Sequence, residues 1–125
     1  MIYGIGTDIV AVARLRGMWE RHGDKALDKL LASSEIDEFA RAADKGRFLA
    51  KRFAAKEAFS KALGTGVRPP ATLTAIAVGH DELGKPLLTF DGPLAELLAG
   101  KKLTAHLSLS DEADYAIAYV ILEHV

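Results

Sequence analysis

Apolar and polar residues follow two different periods along this chain. The opening MIYGIG is short, apolar and β-prone and ends at a glycine, which predicts a strand. From about Val12 to about Arg47 the spacing is helical, in several short pieces interrupted at Gly17 and Gly23. SSEIDEFARA opens one of these pieces, with Ser33 or Ser34 able to cap it and acids in its first turn. A longer helix is predicted from about Gly46 to Leu63, with Gly64 as its C-terminal stop. After GTGVRPP the period falls to two. TLTAIAVGH and LLTF read as strands around the turn DELGKP, and GPLAELLAG reads as a short helix with Pro93 in its first turn. LTAHLSLS and DYAIAYVILE, separated by DEA, read as a hairpin. A strand, then helices, then mostly strands is the signature of an α+β fold. The expected architecture is an antiparallel sheet packed with a long central helix and several short ones.

Composition narrows the function classes. A length of 125 residues predicts one domain, spanning 1–125, with a core of modest size. Half of the residues are hydrophobic (50%) and 26% are charged, the balance of a soluble globular protein. A net charge of -1 argues against a sequence-blind nucleic-acid binder, which would carry a basic excess. The absence of cysteine excludes disulfides, thiolate chemistry and cysteine-based zinc sites. MIYGIGTDIV has neither a basic n-region nor a long apolar h-region, and no apolar run reaches the roughly 20 residues that span a bilayer. The expected compartment is the cytoplasm, with no membrane partner.

Several residues are candidates for chemistry, each with a plain structural reading beside the functional one. Gly4 and Gly6 resemble a nucleotide loop, but no third glycine follows at Rossmann spacing, and GTGVRPP lacks the lysine and hydroxyl of a P-loop. Asp8 follows the first apolar strand; it either projects a carboxylate into a cleft or caps the next helix. On the long helix, steps of about 100° put Leu49, Phe53, Ser60 and Leu63 on a core stripe. Ala50, Ala54, Glu57 and Lys61 fall on a neighbouring one. Glu57 and Lys61 form either an ordinary surface ion pair or a functional pair beside alanines that leave room for a bulky ligand. Arg52 and Lys56 lie on the other flank, with Arg47 and Lys51 adding to a basic excess. Carboxylates beside cations suit a polyphosphate carrying Mg²⁺. His106, Ser108 and Ser110 share one strand face, as a wetted surface or the wall of a site, and Leu107 and Leu109 share the other. Arg14, Met18 and Arg21 share one face of the first helix, either solvated or suited to an acidic helical partner. His22, His80 and His124 are isolated and read as surface residues. No G-x-S-x-G elbow is present.

GIGTDIV at the N-terminus and RFAAKEAFSKALGTG in the middle, at this separation, resemble the holo-acyl-carrier-protein synthase family of 4'-phosphopantetheinyl transferases. The resemblance covers essentially the whole chain, including LGKP and HLSLS…DYAIAYVILE. It implies a 4'-phosphopantetheinyl transferase fold and transfer of the phosphopantetheine arm of coenzyme A to a serine of apo-acyl carrier protein. Adenosine 3',5'-bisphosphate is released, in support of fatty acid biosynthesis. It further implies that Asp8 and Glu57 hold Mg²⁺ and that Lys61 contacts the phosphate in transfer, the three together forming the catalytic set. Arg52, Lys56, Gly64, Thr65, Gly66, His106 and Ser108 would line the coenzyme A site, and Gly84, Lys85 and Pro86 would form its adenine-side loop. Arg14, Met18 and Arg21 would meet the carrier protein. Family members are typically homotrimers with sites at subunit interfaces. After SLS many relatives carry histidine where this chain has Asp111, so that histidine's role is not carried over and the proton acceptor is unassigned. Two competing readings are a non-catalytic module for acidic proteins and a metal-dependent nucleotide pyrophosphatase.

Overall fold

The computed structural model describes residues 1–125. Strand β1 (Ile2–Ala11) leads into helices α1 (Val12–His22), α2 (Asp24–Leu30), α3 (Ser33–Arg41) and the long α4 (Lys45–Leu63). A 3-10 turn (Leu73–Ala75) precedes the β2 (Ile76–His80) and β3 (Pro86–Phe90) hairpin, then α5 (Gly92–Gly100) and a second hairpin of β4 (Leu103–Asp111) and β5 (Tyr115–His124). The main sheet has the order β1-β5-β4 and is antiparallel throughout; β2 and β3 form a separate ribbon. The α+β expectation holds, with antiparallel pairing and one long helix against the sheet.

Four boundaries differ from expectation. β1 runs to Ala11, so Asp8 lies inside the strand, paired with Ala118, and does not cap α1. Gly17 does not interrupt α1, whose C-cap is Gly23. Neither Ser33 nor Ser34 caps α3: the cap residue is Ala32, whose N–H is taken by Glu35 Oε1 at 2.9 Å. The segment Leu73–Ala75 turns before β2 begins, so TLTAIAVGH is a strand only in its second half.

Helix α4 passes under the sheet, and side-chain size dictates how close it comes. Ala50, Ala54, Ala55 and Ala58 have no exposed surface, and Phe59 and Leu49 fill the core around them. Residues Gly4, Gly6, Asp8 and Val10 alternate onto the α4 side of β1. A Cβ on Gly4 would sit 1.9 Å from the Ala62 carbonyl oxygen, and one on Gly6 would sit 1.8 Å from that of Ala58. Strand and helix backbones therefore touch directly, a contact only glycine permits. Ala50 and Ala54 have no exposed surface, so the alanine flank of α4 is not open to a ligand there, which corrects the reading that it leaves room.

The opposite side of the sheet is covered by nothing in the subunit. Ile5 and Ile9 of β1 are 52% and 60% exposed, and Ile117 and Tyr119 of β5 are 42% and 43% exposed. Register aligns Ile5 with Ile121 and Ile9 with Ile117, with Thr7 and Tyr119 between them. Apart from Thr7, these side chains are apolar or aromatic.

Candidate active site

At the edge of the sheet, the glycine contact brings β1 and α4 together and sets three predicted residues side by side. Lys61 Nζ donates to Asp8 Oδ1 at 3.1 Å and to the Thr7 carbonyl at 2.9 Å, which ties the end of α4 to the strand. The Lys61 side chain keeps 55% of its surface exposed, whereas Asp8 keeps 16%. Glu57, one helical turn before Lys61, is half-buried on the same side of α4. Burial pushes its carboxyl above the ordinary value of 4.5, and the Asp8 charge pushes the same way, while Lys61 and Arg14 draw it back. Two like charges held near each other by a rigid strand and a rigid helix favour a cation between them.

Arg14 connects this corner to the first helix. Its guanidinium carbon lies 5.2 Å from the centroid of the Phe53 ring, and its charge reaches Glu57. Further along α1, Met18 and Arg21 border a groove of about 590 Å³ against α2, lined also by His22, Lys25, Asp28 and Lys29. The predicted docking face is thus extended by lysines of α2 that the sequence reading did not single out.

Other predicted residues are placed elsewhere. Lys56 is fully buried. Its ammonium donates to Glu35 Oε1 at 2.5 Å and to the Leu30 carbonyl at 2.7 Å. Burial holds it below the usual lysine range, and Glu35 only partly restores it. Lys56 is therefore a structural cation within the subunit and not a surface for coenzyme A, a correction that follows from its lack of any exposed atom. Arg52 joins the same cluster, donating to Glu35 Oε2 and Glu38 Oε2, each at 3.0 Å, and to the Val78 carbonyl. Only its edge borders a cleft of about 260 Å³, shared with Arg47, Phe48, Lys51, His80 and Leu109.

The hub of that cluster, Glu35, was not singled out. Its two oxygens accept from Lys56, Arg52 and the backbone N–H groups of Ala32 and Val78. A signal was present: Arg52 and Lys56 sit on a core-facing helix with no acid on their own stripe, and buried cations require a partner from elsewhere.

Asp111 also finds a role. Its carboxylate takes Arg47 at 2.9 Å and lies 3.7 Å from Lys51. Arg47 additionally donates to the carbonyls of Glu112 and Ala113. Asp111 thus clasps the β4–β5 turn to α4.

Gly64, Thr65 and Gly66 form an exposed loop at the C-terminus of α4, with positive φ at both glycines. Gly84, Lys85 and Pro86 follow Asp81, whose carboxylate accepts from the N–H groups of Leu83 and Lys85. Pro86 pairs with His80, which puts this loop beside the Arg47–His80 cleft. His106 and Ser108 lie on the uncovered face of the sheet, His106 bonded to Glu123 at 2.9 Å. The subunit therefore gathers Asp8, Glu57, Lys61 and Arg14 on one side of β1 but holds His106 and Ser108 on the other. His22, His80 and His124 are exposed, as expected.

Residues 4–120 match the model of the 4'-phosphopantetheinyl transferase superfamily. The chain is 80% identical over 124 residues to the holo-[acyl-carrier-protein] synthase of Dechloromonas aromatica, covering 99% of each chain. It superposes on the crystal structure of the Neisseria meningitidis holo-[acyl-carrier-protein] synthase with a TM-score of 0.95 at 43% identity, covering 98% of this chain and 99% of that one. The Helicobacter pylori enzyme, solved in complex with coenzyme A, matches with a TM-score of 0.83 at 32% identity, over 95% of this chain and 99% of that one.

Proposed function

This chain belongs to the 4'-phosphopantetheinyl transferase superfamily as a holo-[acyl-carrier-protein] synthase, and from that premise we propose that residues 1–125 act as one Mg²⁺-dependent domain that moves 4'-phosphopantetheine from coenzyme A to apo-acyl carrier protein. The observation that carries the metal and phosphate roles is the Asp8–Lys61 pair beside Glu57, fixed by backbone contact between β1 and α4.

The donor set fits Mg²⁺. It offers carboxylate oxygens and no imidazole or thiolate, and Asp8 raises the Glu57 carboxyl through their proximity. Mg²⁺ characteristically takes one or two carboxylates and completes its shell with water and substrate phosphates. When bound, the ion neutralises charge that develops on the diphosphate. In the reaction, the carrier serine oxygen forms a bond to the phosphorus bearing pantetheine. The bond from that phosphorus to the bridging oxygen breaks, and that oxygen leaves with adenosine 3',5'-bisphosphate. As that bond forms, the serine proton passes to solvent. Lys61, largely exposed and rooted on rigid α4, meets charge on the phosphate as it builds. Arg14 holds the docked carrier near Glu57, and Met18 and Arg21 extend that contact along α1 toward an acidic helix.

Coenzyme A is held by the Gly64–Gly66 loop, the Gly84–Pro86 turn and the cations of the cleft beside it, Arg52 contributing its exposed edge. His106 and Ser108 reach the same ligand from a neighbouring copy. The uncovered apolar face of the main sheet supports this reading, since a monomer rarely leaves such a patch in water. We assign it to a homotrimer, with each site completed across a subunit boundary. The enzyme works in the cytoplasm in support of fatty acid biosynthesis.

The test is direct. Apo-carrier protein incubated with this enzyme, coenzyme A and Mg²⁺ gains the mass of phosphopantetheine, and chelation stops the gain. No gain from a folded sample would sink the reading. Release of phosphopantetheine without any carrier would favour a pyrophosphatase instead.

A further inference from the structure

Four charged groups meet at the β1–α4 corner. Asp8 and Glu57 are negative; Lys61, bound to Asp8 at 3.1 Å, and Arg14, stacked on Phe53 one turn from Glu57, are positive. Their formal charges cancel. Lys61 is the tighter constraint, because it draws on the Asp8 carboxylate and the Thr7 carbonyl at once. A dication approaching Asp8 meets an ammonium already on that carboxylate and an overall neutral surrounding. A dication with a diphosphate is different: the pair adds no net charge, and the diphosphate gives Lys61 a new partner as it leaves Asp8.

We propose that Lys61 makes metal loading depend on substrate: it competes with the divalent cation for Asp8 in the free enzyme and hands that carboxylate over when the diphosphate of coenzyme A arrives. This inference rests on the reading of Asp8 and Glu57 as metal ligands and adds an order to it. Cation and coenzyme A bind with positive coupling, and by reciprocity each tightens the other by the same factor. The free enzyme then carries little metal at cation concentrations that saturate the complex.

Mn²⁺ serves as the probe, its free fraction followed by electron paramagnetic resonance on the full chain without carrier protein, so that no turnover occurs. Saturating coenzyme A is expected to lower the Mn²⁺ Kd of the wild type by about tenfold or more, within the usual range of site–site coupling. Lys61→Met is expected to tighten Mn²⁺ on the free enzyme roughly two- to fivefold, the scale of a partly exposed ion pair. It should also shrink the enhancement by coenzyme A, while Lys61→Arg preserves it. Lys61 is exposed, so these variants should fold. An Mn²⁺ affinity indifferent to coenzyme A in the wild type overturns the proposal. So does a Lys61→Met enzyme whose free form binds Mn²⁺ no more tightly than wild type. Asp8→Asn and Glu57→Gln separate the two levels. If both bind Mn²⁺ as wild type does, the metal assignment itself falls and the proposal with it. If both lose binding while wild type shows no coupling, only the role of Lys61 falls.

Discussion

Glu35 offers a sharp test of the physical account of this fold. It is fully buried and accepts four hydrogen bonds, two from cations and two from backbone N–H groups. Glu35→Gln preserves size but removes the anion. Lys56 then has no counter-charge in its surroundings, and Arg52 keeps only Glu38. Deleting one partner of a buried pair costs about 3–5 kcal/mol, a large part of a total stability of roughly 5–15 kcal/mol. For a chain of this size that corresponds to a fall in Tm on the order of 10–20 °C. Lys56→Met should cost less, because Glu35 retains Arg52 and both N–H donors. The double variant should cost clearly less than the sum, because it removes the stranded ammonium along with its partner. Urea unfolding measures all three at one fixed protein concentration, since any association adds to apparent stability. A loss below about 1 kcal/mol for Glu35→Gln, or additivity within about 0.5 kcal/mol, would refute the reasoning.

Further expectations follow from other parts of the molecule. Gly6→Ala forces a methyl to within 1.8 Å of the Ala58 carbonyl; β1 must move off α4, and a displacement of about 1 Å at Asp8 should lower kcat/KM roughly 100-fold. Glu57 has a raised carboxyl pKa, so its contribution to stability is full below the unfolded value and is lost as pH rises through the higher folded value. Glu57→Gln should therefore raise Tm slightly in EDTA at neutral pH, with no gain below about pH 4, while Mg²⁺ added to the coenzyme A complex should stabilise only the wild type. Arg21→Glu should raise KM for carrier protein about tenfold with kcat little changed, because it reverses a charge on the docking groove and not at the chemistry. Ile117→Glu should dissociate the proposed homotrimer and reduce activity, seen by analytical ultracentrifugation alongside the mass-shift assay.

Legibility from sequence depended on whether a residue's partners were local. α4 was readable because its apolar repeat, its terminal Gly64 and its length are all written in one segment. The β4–β5 hairpin was readable for the same reason. Asp8, Glu57 and Lys61 were selected by type and by resemblance, but no spacing could say that Gly6 would let the strand reach them. Conversely, Ala50 and Ala54 resembled open space because their helix was considered alone; in the fold neither keeps any exposed surface. Lys56 is the clearest loss. In a family motif it resembled a ligand contact, yet its partner Glu35 is carried by α3 and resembled an ordinary acid in a first turn. Asp111 shows the reverse case, a departure from the common residue that becomes intelligible only beside Arg47.

The pairing of β1 with β5 has a consequence for how the protein comes into being. Thr7 Oγ1 donates to the Ala118 carbonyl across 111 residues of sequence, and β5 is the only strand on which β1 can form. During synthesis, Asp8 emerges from the ribosome well before its pairing partner Ala118 and waits for every element between them. Until β5 follows, β1 lacks its only pairing strand and α4 has no completed sheet to lie against. Contacts this distant slow folding and leave apolar strand segments exposed in the interim. The β1–α4 corner is therefore completed only after β5 is made, and a chain cut short before Tyr115 carries Asp8 with no strand to hold it in place.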